Sequence, residues 1–389
     1  MQNNCQNLSF PVHRARPRRL HRLSDSYKKG MGPNVKYFLP VCLAIVLSSS
    51  VSQSQTITPF DVPGSSSTQP TAISSAGEVT GNYGVPNSSL VRGFVRDRSG
   101  KIVTFGVSGM NTYPATINIW GQVAGIYTAN PDGVAPFHGF LRQPNGQIIT
   151  FDAPDAWDTE ATTIDAKGQI VGWMQTNLSA PNPNAFQGFV RKADGRITLF
   201  DIDNAFALLP TATNSIGWVV GHWTDNNGRD GHGFLRRGDG KVKNIDVPAI
   251  YPTDTTPFAI NGWGQIVGAY AFQCPFPAGT CTTDPHGFLR QVNGKFVKID
   301  VPGMAYTVPL GIDFLGRVTG YTFDGDTFQM HGFQRELNGK FTVFEAPGSD
   351  FTIPLAMNAT GEITGVFFDT NSQVHAFIRS SQFSGLRTE

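Results

Sequence analysis

Five histidines recur at matched places, His138, His232, His286, His331 and His375, each opening a His-Gly-Phe or His-Ala-Phe triplet. Imidazole is a common metal ligand, so the first question is whether these rings converge. Standing one per repeat, they are too far apart for a single metal whose ligands lie about 2 Å away. They read instead as hydrogen-bonding locks between a strand and a neighbouring loop. A second series, Asp61, Asp152, Asp201, Asp246, Asp300 and Glu345, ends short apolar runs and reads as caps on the turns that follow. Two or three of these acids in a central channel would be the way to hold a cation. The stretches 225–231 and Asp324-Gly325-Asp326 hold fragments of calcium-binding turns. Both lack the full loop spacing with its terminal Glu. No cofactor and no metal site is assigned, calcium being the one ion these loops suggest.

No nucleophile elbow, zinc-protease helix motif, phosphate loop or dinucleotide fingerprint occurs. The paired carboxylates of glycoside hydrolysis are set by fold rather than by spacing. No catalytic residue is therefore assigned. Aromatic residues carry the binding expectation. Tyr127, Trp173, Trp223 and Tyr270, with Tyr83, Tyr321 and Phe367, end one strand of each repeat, and Trp157 stands in a linker with no counterpart seen elsewhere. Flat rings beside polar side chains suit the C–H faces of sugars. The same rings would also serve as packing between repeats, which leaves Trp157 as the best single candidate for a ligand contact.

The elements that must position these residues come from an internal repeat. Gly81, Gly125, Gly172, Gly221, Gly268, Gly320 and Gly365 fall in register, 44 to 52 residues apart. Such a period signals a solenoid or a propeller. Four short strands are expected per unit. In the third unit they are a at 162–165, b at 169–173, c at 187–191 and d at 197–201. Ser99-Gly100, Asn145-Gly146, Asp194-Gly195, Asp239-Gly240, Asn293-Gly294 and Asn338-Gly339 mark the c-to-d hairpins, read as type I′ turns. The segment 56–61 matches strand d with no a, b or c before it, whereas the last unit supplies a (354–358), b (362–367) and c (375–379). Pairing these ends completes a seventh blade and removes exposed sheet edges. The expected fold is an all-β seven-bladed β-propeller of four-stranded antiparallel blades, its ring closed by the N-terminal strand.

Composition agrees. With 43 Gly, 26 Pro and 15% charged residues, the chain is too punctuated for a helical protein. Residues 1–54 carry eight basic residues against Asp25, which leaves 22 basic and 28 acidic residues in 55–389. A mildly acidic body is a poor partner for nucleic acid.

The apolar run at 37–51, after Lys36 and before small residues, reads as a secretory signal. Residues 1–30 read as an over-extended N-terminus, 31–54 as the signal peptide starting at Met31, and 55–389 as the propeller domain. Localisation is then extracellular or periplasmic, with no membrane span after cleavage. A membrane-anchored form is the alternative. Cys274 and Cys281, a close pair in an exported chain, are expected to form a disulfide that stiffens one loop.

The His375-Ala376-Phe377 triplet, its His-Gly-Phe variants and the Ile-Asn…Gly-Gln-Ile-Val-Gly core at 260–268 resemble the bacterial extracellular repeat proteins named after a His-Ala-Phe (HAF) triplet. The resemblance spans roughly residues 56–380 and implies export and a repeated β fold, without a substrate. Arg92-Gly93-Phe94 and Gln187-Gly188-Phe189 depart from it. The b-to-c connections vary most in length, and loops that differ among matched repeats are where binding concentrates. The expected function is a secreted, monomeric, non-catalytic protein that binds a polysaccharide or a cell-surface protein through its variable-loop face. The alternatives are a polysaccharide hydrolase or lyase using Asp152, Asp201, Asp246 or Asp300 at a channel mouth, and a structural envelope protein.

Overall fold

The computed structural model describes residues 55–176, 186–225, 231–248, 253–272 and 284–380. The chain divides into Met1–Val51, which lies outside the described residues, and Ser52–Glu389. The segment 31–54 expected to be a signal peptide, the expected disulfide pair Cys274 and Cys281, and most of the 225–231 loop likewise fall outside them.

The described residues form seven four-stranded antiparallel sheets, a seven-bladed β-propeller without helices. Blades 1 to 6 span Ser67–Phe105, Asn111–Phe151, Asp158–Phe200, Ala205–Asn244, Thr253–Ile299 and Tyr306–Phe344. Strands a to d of blade 3 are Asp158–Ile164, Ile170–Gln175, Phe186–Arg191 and Ile197–Phe200. Strand a is innermost, since each a strand touches those of its two neighbouring blades. Blade 7 is built from Ser349–Met357, Ile363–Asp369 and Val374–Arg379, with Ile57–Phe60 as its d strand. Ile57 lies opposite Arg379 and Phe60 opposite Ala376. Between blade 7 and blade 1, Asn358 Nδ2 donates to the Ser74 carbonyl at 3.0 Å, Arg98 pairs with Glu362 at 3.0 Å, and the Arg96 guanidinium lies 4.9 Å from the Phe60 ring centre.

The triplet's phenylalanine is the core anchor. Phe94, Phe140, Phe189, Phe234, Phe288, Phe333 and Phe377 are all fully buried. In most blades its edge meets the Phe of the preceding strand d, as in Phe105–Phe140 at 6.0 Å. The Arg that ends strand c covers the other side of that ring, as in Arg142 over Phe105 at 4.9 Å. Blades are thus joined by repeated aromatic and cation–π contacts. The glycine of strand b is required by close approach. A Cβ on Gly268 would strike the Thr256 carbonyl and the Phe288 ring.

Two local expectations are corrected. Strand a begins about four residues earlier than expected, at Asp158 in blade 3. Pro70, Pro114, Pro210, Pro257, Pro309 and Pro354 sit inside strand a, and the register slips by one residue just after each. Proline and bulge are both tolerated because the innermost strand has a free edge where no ladder donor is needed. The c-to-d turns are not type I′. Only the glycine has positive φ, as in Gly146 at 93°. Gly146 N–H donates to the Gln143 carbonyl, and Gln143 N–H to the Gln147 carbonyl. That is the three-residue hairpin with a glycine bulge.

Candidate functional site

The b-to-c loops and d-to-a linkers share one end of the propeller. There the histidines and the acids, expected as separate series, form one unit. His138 Nδ1 lies 2.8 Å from Asp152, His232 3.0 Å from Asp246, His286 3.1 Å from Asp300, His331 2.8 Å from Glu345 and His375 2.7 Å from Asp61. Each bond ties the first half of strand c to an acid one or two residues beyond strand d. The signal in the sequence was a constant separation of 14 residues. On the other side, His232 stacks on Trp223 at 4.5 Å and His375 on Phe367 at 5.1 Å, while Tyr127 and Tyr270 lie 5.2 Å and 5.5 Å from His138 and His286. Blade 3 replaces the imidazole with Gln187, whose Nε2 donates to Asp201. A His–carboxylate pair is the ground plan of a general base. Here it recurs in five of the seven blades, which makes it a lock between strands b, c and d.

This placement corrects the enzymatic alternative. Asp152, Asp201, Asp246 and Asp300 end outermost strands, so they stand at the rim and not at a channel mouth. It also splits the aromatic set. Tyr83, Tyr127, Trp223, Tyr270 and Phe367 lie opposite Arg92 or a histidine of strand c, whereas Trp173 and Tyr321 lie opposite Gly188 and Gly332. Shifted by one residue, those two rings leave the other side of their sheets. Trp223 and Tyr270 are only 8% and 7% exposed, and Trp223 Nε1 donates to Asn244. Tyr127 and Trp173 are half-buried.

Trp157 is 41% exposed, its backbone N–H held by the Gln175 carbonyl. It does have a counterpart. Phe206 holds the matching position in blade 4 and is 45% exposed. Phe206 continues a row of rings, with Phe186 at 6.0 Å from it and Trp173 at 5.7 Å from Phe186. The sequence reading missed Phe186 and Phe206 because neither belongs to the repeat. An aromatic residue that departs from an otherwise matched position was the available signal.

The inner strand of blade 3 also carries two acids. Asp158 is buried and accepts the Phe137 N–H at 2.8 Å, and its burial raises the carboxyl above the usual range. Glu160, across the strand pair from Trp173, is pushed up to about 7 by its own burial and by Asp158 beside it. A carboxyl that is half protonated near neutrality can give or take a proton. In blade 4, burial pushes the His222 imidazole down against the pull of Asp254.

At the opposite end, a funnel of about 330 Å³ opens on the axis, lined by the ends of all seven a strands. Its throat is apolar, with Ile73, Ile117, Ile164 and Ile260 among the lining residues, and its wall carries asparagines that are already saturated. Asn261 Oδ1 accepts the Trp263 and Gln265 N–H groups, while Nδ2 donates to Gln265 Oε1 and to the Asp313 carbonyl of the next blade. A second cavity of about 370 Å³ lies between blades 3 and 4 on the same side. Neither cavity is lined by Trp157, Trp173, Trp223, Tyr270 or Tyr127. Among the described residues no group of three or more His, Cys, Asp or Glu side chains is arranged to hold a metal ion.

No family model matches the chain, and no curated protein matches it. Solved structures do. A catalytically inactive virginiamycin B lyase from Staphylococcus aureus, with quinupristin, aligns over 84% of this chain and 100% of its own at 12% identity, with a TM-score of 0.55. A streptogramin B lyase aligns over 84% and 98% at 13% identity and a TM-score of 0.50. A puromycin hydrolase aligns over 85% of this chain and 56% of its own at 11% identity and a TM-score of 0.52. At such identities the likeness shows the propeller fold alone.

Proposed function

We propose that the face of b-to-c loops and d-to-a linkers binds a carbohydrate chain, with Trp157 and Phe206 as stacking platforms and Trp173 and Phe186 behind them. The observation that carries this reading is the pair of exposed rings at matched positions of adjacent blades, where other blades place Ser66, Met110 or Ala305. Large rings left partly in water where the other blades place smaller residues are not required by the repeat, and stacking on sugar C–H faces gives them a role. The rings lie outside both cavities, and an open surface of this kind favours an extended polymer over an enclosed small molecule. On this reading the chain is exported, resembles the HAF-repeat proteins, and acts by binding. Glycan-array screening tests it. Wild-type protein is expected to bind a polysaccharide that Trp157→Ala and Phe206→Ala, both folded, bind at least ten-fold more weakly. Binding untouched by both variants overturns the reading.

One observation favours the hydrolase or lyase alternative, now with other residues. Glu160, with its carboxyl near 7, stands across from Trp173 and next to Asp158. If it donates a proton to a glycosidic oxygen, Glu160→Gln abolishes release of reducing ends while leaving glycan binding intact.

A further inference from the structure

The face of a-to-b and c-to-d turns has a different chemistry. Its a-to-b turns expose Ile216, Trp263, Phe314 and Leu315 in blades 4 to 6, and its c-to-d turns add Val292 and Leu337 in blades 5 and 6. Trp120 in blade 2 is 66% exposed and Trp263 is 58% exposed, the latter tilted against Phe314 at 5.0 Å. Around them the same turns present exposed lysines, Lys101, Lys192, Lys241, Lys295 and Lys340. Most carboxylates on this side are engaged locally, Asp239 by Lys241 among them. Asp194 pairs with Arg196, Asp313 with Arg317 and Glu362 with Arg98, whereas the acids that end the d strands all gather at the opposite end. Folding therefore separates charge within a domain whose 22 basic and 28 acidic residues leave it mildly acidic as a whole.

We propose that this face docks on an anionic lipid surface, the blade 5 and 6 turns entering the headgroup region and the lysines lying over the phosphates. Exposed aliphatic residues distinguish this surface from a sugar platform, because Ile216, Leu315 and Leu337 have no stacking face to offer. Tryptophan beside aliphatic residues within a basic surround is the pattern of interfacial membrane binding. Short turns held by backbone hydrogen bonds present these side chains without ordering cost. The proposal is independent of the carbohydrate reading, which uses the other end of the propeller.

The test uses the full chain and vesicles of equimolar phosphatidylcholine and phosphatidylglycerol with brominated acyl chains, reading quenching of tryptophan fluorescence. The readout reports which face meets lipid even if residues upstream of the propeller also associate with the vesicles. Wild-type protein is expected to be quenched, and Trp120→Phe with Trp263→Phe to lose at least half of that quenching. Leu315→Glu with Leu337→Glu, at exposed turn positions and with unchanged Tm, should lose it similarly. Replacing Lys192, Lys241, Lys295 and Lys340 by Glu should raise the lipid concentration for half-saturation about ten-fold. Trp157→Phe, on the opposite face, should change nothing. Quenching that persists in the Leu315→Glu, Leu337→Glu variant, or that depends on Trp157, overturns the proposal. So does an unquenched wild type that elutes as a dimer and becomes monomeric on Leu315→Glu, which would make the face a protein interface.

Discussion

The two ends of this propeller are built by opposite rules. At one end every connection is a short turn with the same hydrogen bonds, Asn118 to Gln122 repeating as Asn261 to Gln265 and as Asn358 to Glu362. Many of its polar side chains are consumed by the fold, and the side chains it leaves in water are largely apolar and basic. At the other end the connections vary in length, the acids collect, and exposed rings occur only where the repeat is broken. The contrast teaches that repetition marks scaffold even when the repeated residues look catalytic. The His–carboxylate pairs are the clearest instance.

Substitutions can break that contrast, beginning where the largest loss is expected. Phe234→Ala empties a fully buried core position shared by blades 3 and 4, and should cost about 4 kcal/mol in chemical denaturation. A loss below about 1 kcal/mol would mean that the triplet does not anchor the blade. Asn261→Ala leaves two turn N–H groups and the Asp313 carbonyl without their partner, and about 2 kcal/mol should be lost by the same measurement.

Glu160 gives a pH dependence with a definite sign. Its folded-state carboxyl near 7 lies above the ordinary value of 4.5, so the folded protein holds the proton more tightly than the unfolded chain does. The contribution of Glu160 to stability is therefore greatest below about pH 4.5, falls as pH rises through 7, and is level above that. Glu160→Gln should remove this slope and stabilise the protein by about 2 kcal/mol at pH 8, after solvent screening of a partly exposed group. An unchanged slope in thermal melts across this range contradicts the assignment.

The rim locks should matter less. His232→Ala loses a partly exposed bond to Asp246 and the stack on Trp223, about 1 kcal/mol in denaturant titration. Trp157→Ala should be the smallest, within about 0.5 kcal/mol of wild type, since the ring is exposed. A large loss of stability there would turn Trp157 into a packing residue and remove the main support for a ligand on that face.

Much of the architecture was legible because its signals are local and repeated. The hairpin glycines, the register glycine of strand b and the unpaired d strand at 56–61 each carry their own reason. What stayed hidden needed the third dimension. In six of the seven blades the first half of strand a is obscured by proline, which sequence patterns treat as a strand breaker and which the free inner edge tolerates. Trp173 and Tyr321 were grouped with Trp223 because a shift of one residue cannot be seen without the sheet that gives it a side. The pairing of His138 with Asp152 is readable in their spacing of 14 residues, but each series taken alone is regular enough to look like a separate structural device. Segregation of charge between the ends is invisible in a net charge, because successive connections of each antiparallel blade lie at opposite ends.

Hydroxyl-radical footprinting of the wild-type protein, with and without the polysaccharide that it binds, tests the division of labour most directly. Trp157 and Phe206 are expected to be protected by the glycan while Trp120 and Trp263 remain as reactive as before. Protection of Trp120 and Trp263 with Trp157 and Phe206 unchanged would contradict the assignment of carbohydrate to the variable-loop face.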